Sequence, residues 1–158
     1  MTMDGQAGEG RIRAARSDDA SAIEALVHRA YRKYLERMDR KPAPMTADYA
    51  ELIARGGLWV LEVDGTLAGA ILLQVADTYL HINNVAVSPD YQGRGLGARL
   101  LRFAENEARR RGTDELRLYT NEKMHENVAI YQRLGWLRYA EGEEGGFRRI
   151  FMKKTLDV

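Results

Sequence analysis

Between Asn84 and Ala104 the chain reads NVAVSPDYQGRGLGARLLRFA: an apolar strand, a polar turn, a glycine-rich loop and an amphipathic helix. Glycines at 93, 95 and 97 remove side chains where backbone must turn tightly or approach a ligand closely. The helix behind them offers free backbone N–H groups and the positive end of its dipole. Such a constellation holds phosphate or pyrophosphate. One glycine would suffice for a tight turn without a ligand, so three favour a phosphate-bearing one. The other residues able to do chemistry are few. There is no cysteine, which excludes a thiol nucleophile, a disulfide and a thiolate metal site. His28, His81 and His125 have no metal-ligand spacing, so no metal is expected.

Three known glycine patterns fit the loop. Gly93, Gly95 and Ala98 satisfy the dinucleotide fingerprint, and Gly93, Gly95 and Gly97 resemble the loop of nucleoside-dependent methyltransferases. Gln92, Gly95 and Gly97 meet a third pattern, Gln/Arg-x-x-Gly-x-Gly/Ala. The first two normally stand on the first strand of a long parallel sheet. Here the loop lies past mid-chain, behind an antiparallel hairpin, and too little chain follows to complete a doubly wound sheet. The strand ending near Thr120 also lacks the acid that would hold a ribose.

The elements that position this loop follow from periodicity and punctuation. Arg11 to Ala15 reads as a first strand, and Ser17 caps a helix with Asp18 and Asp19 in its first turn. Ile23, Leu26, Val27, Ala30, Tyr31 and Tyr34 recur at helical spacing to about Leu35. KPAPM, Lys41 to Met45, breaks that helix, and Thr46 caps a second one ending near Gly56-Gly57. Leu58–Val63 and Leu67–Ala76 are strands joined by an Asp64-Gly65 hairpin turn. Tyr79–Ser88 is a fourth strand, ended by Pro89. Gly95–Arg111 is the long helix, with Leu96, Leu100, Leu101, Ala104 and Ala108 on one stripe. Glu105 to Arg109 and Glu107 to Arg111 are i,i+4 pairs on its wet side, and Gly112 stops it. A fifth strand, Glu115–Thr120, a helix, His125–Leu134, and a sixth strand, Trp136–Ala140, follow. A turn-rich EGEEGG precedes the last strand, Phe147–Lys154. The order β-α-α-β-β-β-α-β-α-β-β requires an α/β fold with a mixed sheet.

Composition bounds the partners. The 158 residues are the length of one ordinary domain, expected at 11–158 behind a mobile polar tail at 1–10. A net charge of +1 with interspersed acids and bases argues against a nucleic-acid partner. MTMDGQAGEG has no apolar stretch for a signal peptide or membrane span, so a cytoplasmic protein without membrane partner is expected, as monomer or homodimer.

Taken with its flanks, the third glycine pattern resembles the GNAT family of acyl-CoA-dependent N-acyltransferases. HINNVAVSPD leading into YQGRGLGARLL, then LRLYTN, then NVAIYQRLGW carry the resemblance, in the family's order and spacing. It extends over about Arg11 to Leu156, the first third by pattern only. The resemblance implies a GNAT-like sheet of about seven strands, splayed between the fourth and fifth, and acetyl-CoA as co-substrate. It implies that the backbone of Gln92, Gly93, Arg94, Gly95, Leu96, Gly97 and Ala98 binds the pyrophosphate, with Arg94 adding charge. Val85, Ala86 and Val87 would pair with the pantetheine arm, and N–H near Val85 would polarise the acetyl carbonyl. Asn127 would hydrogen-bond the pantetheine amides.

Tyr131 alone reads as a packed aromatic beside Val128 and Leu134; the resemblance makes it the general acid for the departing thiolate. Many family members carry a glutamate base where this chain has Asn83. His81, two residues back on the same strand face, is the candidate base, with a water relay oriented by His81 or Asn83 as the competitor. His125 is a distant second candidate, and His28 is a surface residue. With no cysteine, transfer to the amine would be direct, through a tetrahedral intermediate. The acceptor would be a small-molecule or peptide amine. Tyr31, Tyr34, Met38 and Met45 line either a pocket or the core, while Glu36, Asp39, Glu141, Glu143 and Glu144 either attract a cationic amine or form a solvated surface. A non-catalytic acyl-CoA-binding sensor is the alternative function.

Overall fold

The computed structural model describes residues 10–38, 41–144 and 146–157. The expected tail lies outside them except for Gly10. The strands are β1 (Arg11–Ala14), β2 (Leu58–Val63), β3 (Thr66–Val75), β4 (Leu80–Val87), β5 (Glu115–Asn121), β6 (Leu137–Glu144) and β7 (Phe147–Thr155). The α-helices among the described residues are α1 (Ala20–Tyr31), α2 (Tyr49–Arg55), α3 (Leu96–Arg110) and α4 (His125–Arg133). The sheet order is β1-β2-β3-β4-β5-β7-β6. β4 and β5 run parallel; β1–β2, β2–β3, β5–β7 and β6–β7 run antiparallel. The mixed sheet and the element order are those expected from the sequence.

Two compact units are present, one up to Leu72 plus Asn84–Arg102, the other Leu73–Asn83 plus Phe103 onward. In the first, Ile23, Leu26, Val27 and Ala30 of α1 pack with Tyr49, Leu58, Val60, Ala70 and Ala86. A side chain at Gly69 would meet Leu100 Cδ1 at 3.0 Å and Ala86 O at 3.1 Å, so glycine there lets α3 lie close on β3. Asp64 (φ 51°) and Gly65 (φ 80°) both adopt the left-handed region that a tight hairpin turn demands. In the second unit, Leu116, Leu118 and Thr120 of β5 and Ile150 and Met152 of β7 are buried, as are Ala104, Ala108, Tyr131 and Trp136.

Several local expectations are corrected. Ser17 lies within a 3-10 turn (Ser17–Asp19) and is not a cap; Asp19 accepts the Arg16 N–H instead, at 2.7 Å, while pairing with Arg13 at 2.8 Å. After Tyr31 the α1 chain tightens into 3-10 geometry through Arg37. The cap of α2 is Asp48, which accepts the Glu51 N–H, whereas the Thr46 hydroxyl donates back to Ala43 O. Glu105 and Glu107 do not lie on a wet face. Glu105 reaches Lys154 at 2.8 Å; the expected Glu107–Arg111 pair is present at 3.7 Å, but Glu107 is buried and joined more closely to Arg110, at 2.9 Å. Arg109 donates to Asn106 instead of Glu105. The predicted EGEEGG turn is mostly strand, because β6 continues to Glu144 against β7.

Candidate functional site

The glycine loop belongs to the first unit. Pro89–Tyr91 form one 3-10 turn after β4, and Gln92 Nε2 donates to Val87 O at 3.3 Å, holding the loop against the strand end. Gly93 (φ 85°) and Gly95 (φ 76°) need their backbone freedom, although a side chain at either would meet nothing within 4 Å. Gly97 differs. It lies within α3, and an added Cβ would stand an ordinary 3.8 Å from Val87 Cγ2. Neither conformation nor crowding requires glycine at 97. The Arg99 N–H bonds to Gly95 O, so the Leu96, Gly97 and Ala98 N–H groups stand at the open end of the helix. The Arg94 guanidinium lies 5.0 Å over the Tyr91 ring, beside the same loop. Ala86 is buried while Val85 and Val87 are half-buried. Tyr31 Oη donates to Asn84 Oδ1 at 2.8 Å.

The second unit carries the candidate proton-transfer residues. β4 pairs with β5 over Leu80–Ile82 against Leu116–Leu118, and among the described residues the ladder has no later step, the expected splay. His81 stacks 5.3 Å from Tyr119 and 6.5 Å from Tyr79. Asn83 Oδ1 is buried and accepts no hydrogen bond among the described residues. An orphaned buried acceptor costs about 1–3 kcal/mol, and a ligand N–H would relieve it. Tyr131 is buried on α4 with its ring 6.0 Å from Trp136, tilted at 61°. The cause is the helix end. Trp136 N–H bonds to Tyr131 O and Gly135 N–H to Gln132 O, with Gly135 at φ 96°, which is a Schellman cap. The Leu-Gly-Trp run thus fixes the backbone at Tyr131. Lys154 Nζ reinforces it by donating to Leu134 O and Glu105, each at 2.8 Å, a clamp that local spacing does not reveal. Asn127, one turn before Tyr131, donates through Nδ2 to Met124 Sδ at 3.7 Å.

The remaining candidates separate cleanly. His125 is largely exposed beside Glu126. His28 is half-buried rather than a surface group, its Nε2 2.9 Å from Met45 O. Tyr34 and Met45 are buried core residues. Glu141 pairs with Arg138 and Arg148 on the surface, so it is neutralised rather than aimed at an amine. Asp39 and the Glu144 side chain lie outside the described residues. No cluster of three or more described His, Asp or Glu residues could hold a metal ion, and no described helix is long and apolar enough to cross a membrane.

A model of the acetyltransferase (GNAT) family matches residues 20–136. An S-alkylcysteine N-acetyltransferase of Bacillus subtilis is 29% identical over 92% of this chain and 88% of its own length. A ribosomal protein bS18-alanine N-acetyltransferase of Escherichia coli is 34% identical over 48% of this chain, a match spanning 51% of that protein. Among solved structures, PaiA N-acetyltransferase of Thermoplasma acidophilum, in complex with coenzyme A, superposes with a TM-score of 0.78 at 18% identity, covering 92% of this chain and 98% of that one.

Proposed function

The chain belongs to the acetyltransferase (GNAT) family, and from that premise we propose that it moves the acetyl group of acetyl-CoA directly to a primary amine of a small molecule or peptide. Gly97 carries the reading: a helix-start glycine that neither fold geometry nor packing requires leaves room for a pyrophosphate. The N–H groups of Leu96, Gly97 and Ala98, with Arg94, hold that group. The backbone of Val85, Ala86 and Val87 takes the pantetheine arm, and Asn127 adds a polar contact to it. An N–H near Val85 polarises the acetyl carbonyl. Tyr131 protonates the departing thiolate. His81 removes the amine proton, and the unpartnered Asn83 Oδ1 accepts a hydrogen bond from the incoming amine or its water. The S-alkylcysteine and ribosomal-protein relatives make an amine acceptor the natural class.

Thermal denaturation with acetyl-CoA, NAD and S-adenosylmethionine, followed by free-thiol release with mixed primary amines, tests this. Acetyl-CoA alone is expected to stabilise the protein, by about 2.7 kcal/mol at 100 times its Kd, and thiol release is expected to depend on the amine. Stabilisation without release with any amine would instead favour a non-catalytic acyl-CoA sensor, a reading kept open by Asn83 at the position of the family's glutamate. Stabilisation by NAD or S-adenosylmethionine in place of acetyl-CoA would overturn both.

A further inference from the structure

We propose that the sheet face carrying His81 binds a carboxylate on the acceptor, and that the acceptor is an α-amino acid with an apolar side chain. The inference rests on the acetyl-transfer reading and narrows its substrate. Strand register aligns His81 on β4, Arg117 on β5, Lys153 on β7 and Leu137 on β6 as consecutive cross-strand partners. Residues so aligned share one face of the sheet, with neighbouring strands about 4.8 Å apart. The other face of β5 and β7 is core, with Leu116, Leu118, Ile150 and Met152 buried.

Two cations, Arg117 and Lys153, therefore stand directly opposite each other, an arrangement that destabilises an antiparallel pair. Glu115 compensates Arg117 through a 2.5 Å hydrogen bond. Among the described residues, no carboxylate lies within ion-pair distance of Lys153. Its Nζ stands 5.5 Å over the Tyr139 ring, and Arg117 stands 5.5 Å over the same ring. The β6 irregularity between Arg138 and Ala140 brings Tyr139 to this face. In the next row, Tyr119 opposes Phe151, and Arg149 lies 4.2 Å over Tyr119.

Positive charge is thus gathered on a half-buried aromatic face at a cost to folding. A carboxylate relieves that cost, and it suits both guanidinium and ammonium donors. Because β4 adjoins β5, an amine one carbon away from a carboxylate held at Arg117 and Lys153 lies toward His81. Tyr119 and Phe151 offer apolar surface to its side chain. Nearby cations also favour the neutral, nucleophilic form of the amine, and they repel a polyamine.

Thiol release from acetyl-CoA is measured with L-phenylalanine, L-phenylalaninamide, phenethylamine and spermidine, for the wild type, Lys153→Gln and Lys153→Arg. Phenylalanine is expected to exceed the other three in kcat/KM by about tenfold or more, the loss anticipated for a missing charge-assisted hydrogen bond. Lys153→Gln is expected to raise the KM for phenylalanine about tenfold, with phenethylamine and acetyl-CoA binding unchanged, and Lys153→Arg to restore it. Equal use of the acid and its amide, preference for spermidine, or a Lys153→Gln effect common to all amines overturns the inference while acetyl transfer stands. Release with none of the four also overturns it; the transfer reading falls only if a broad mixture of primary amines is inert as well.

Discussion

At the scale of single residues, Tyr131 and His81 differ in how firmly they are held. The Tyr131 ring packs on Trp136 through the Schellman cap, so removing only its hydroxyl leaves the packing in place. Tyr131→Phe is therefore expected to keep acetyl-CoA affinity and to lower turnover by roughly 100- to 10,000-fold, the range of a general acid–base step. Single-turnover and steady-state rates check this, and a turnover number within about threefold of wild type would leave Tyr131 a core aromatic. His81 is half-buried between Tyr79 and Tyr119. If it takes the amine proton, His81→Gln removes the acid limb of the pH–rate profile. With a water relay, the limb survives in the variant and moves with the pKa of the amine, so profiles with two amines of different basicity separate the cases.

Among the elements, the start of α3 offers the cleanest test of the phosphate loop. Substitution at Gly93 or Gly95 confounds ligand loss with backbone strain, since both adopt positive φ. Gly97 has no such strain, and a Cβ there would make only an ordinary contact with Val87 Cγ2 at 3.8 Å. Gly97→Asp replaces a helical glycine and places negative charge at the positive end of the dipole, changes that together stabilise the helix by about 0.5–2 kcal/mol. The same charge repels a pyrophosphate. The expected result is an unchanged or raised thermal midpoint with acetyl-CoA affinity reduced about 100-fold or more. Calorimetry showing wild-type affinity in this folded variant would remove the loop from the site.

For the whole molecule, acid sensitivity follows from two buried carboxylates, one in each compact unit. The hydrogen bond from Arg13 holds the Asp19 carboxyl below its usual range, and Arg110 does the same to Glu107. Folded-state values depressed in this way add stability above the unfolded values of about 3.9 and 4.3. That stability is lost as pH falls through the folded values. Asp19→Asn is expected to lower the thermal midpoint at pH 7 and to flatten its decline below about pH 4.5, approaching the wild-type curve in strong acid. Thermal midpoints from pH 7 to pH 3 would show this; parallel curves would deny Asp19 its part.

Most of the elements, and the glycine loop itself, were legible because their causes are local. Asp64-Gly65 turns whatever surrounds it, Pro89 ends a strand, and the Leu96 to Ala108 stripe has helical spacing before anything packs on it. Where two local solutions competed, packing chose: Asp48 rather than Thr46 caps α2, and Asp19 rather than Ser17 serves the turn before α1, where Arg13 also needs a partner. Contacts across long sequence separations were beyond the sequence altogether. Glu105 and Lys154 are 49 residues apart and meet only in the folded chain. Arg117 and Lys153 become neighbours because β7 enters the sheet between β5 and β6. Alternation assigns each strand residue to a face, but which residues oppose one another depends on strand order and register, and those are settled by the burial of the other face.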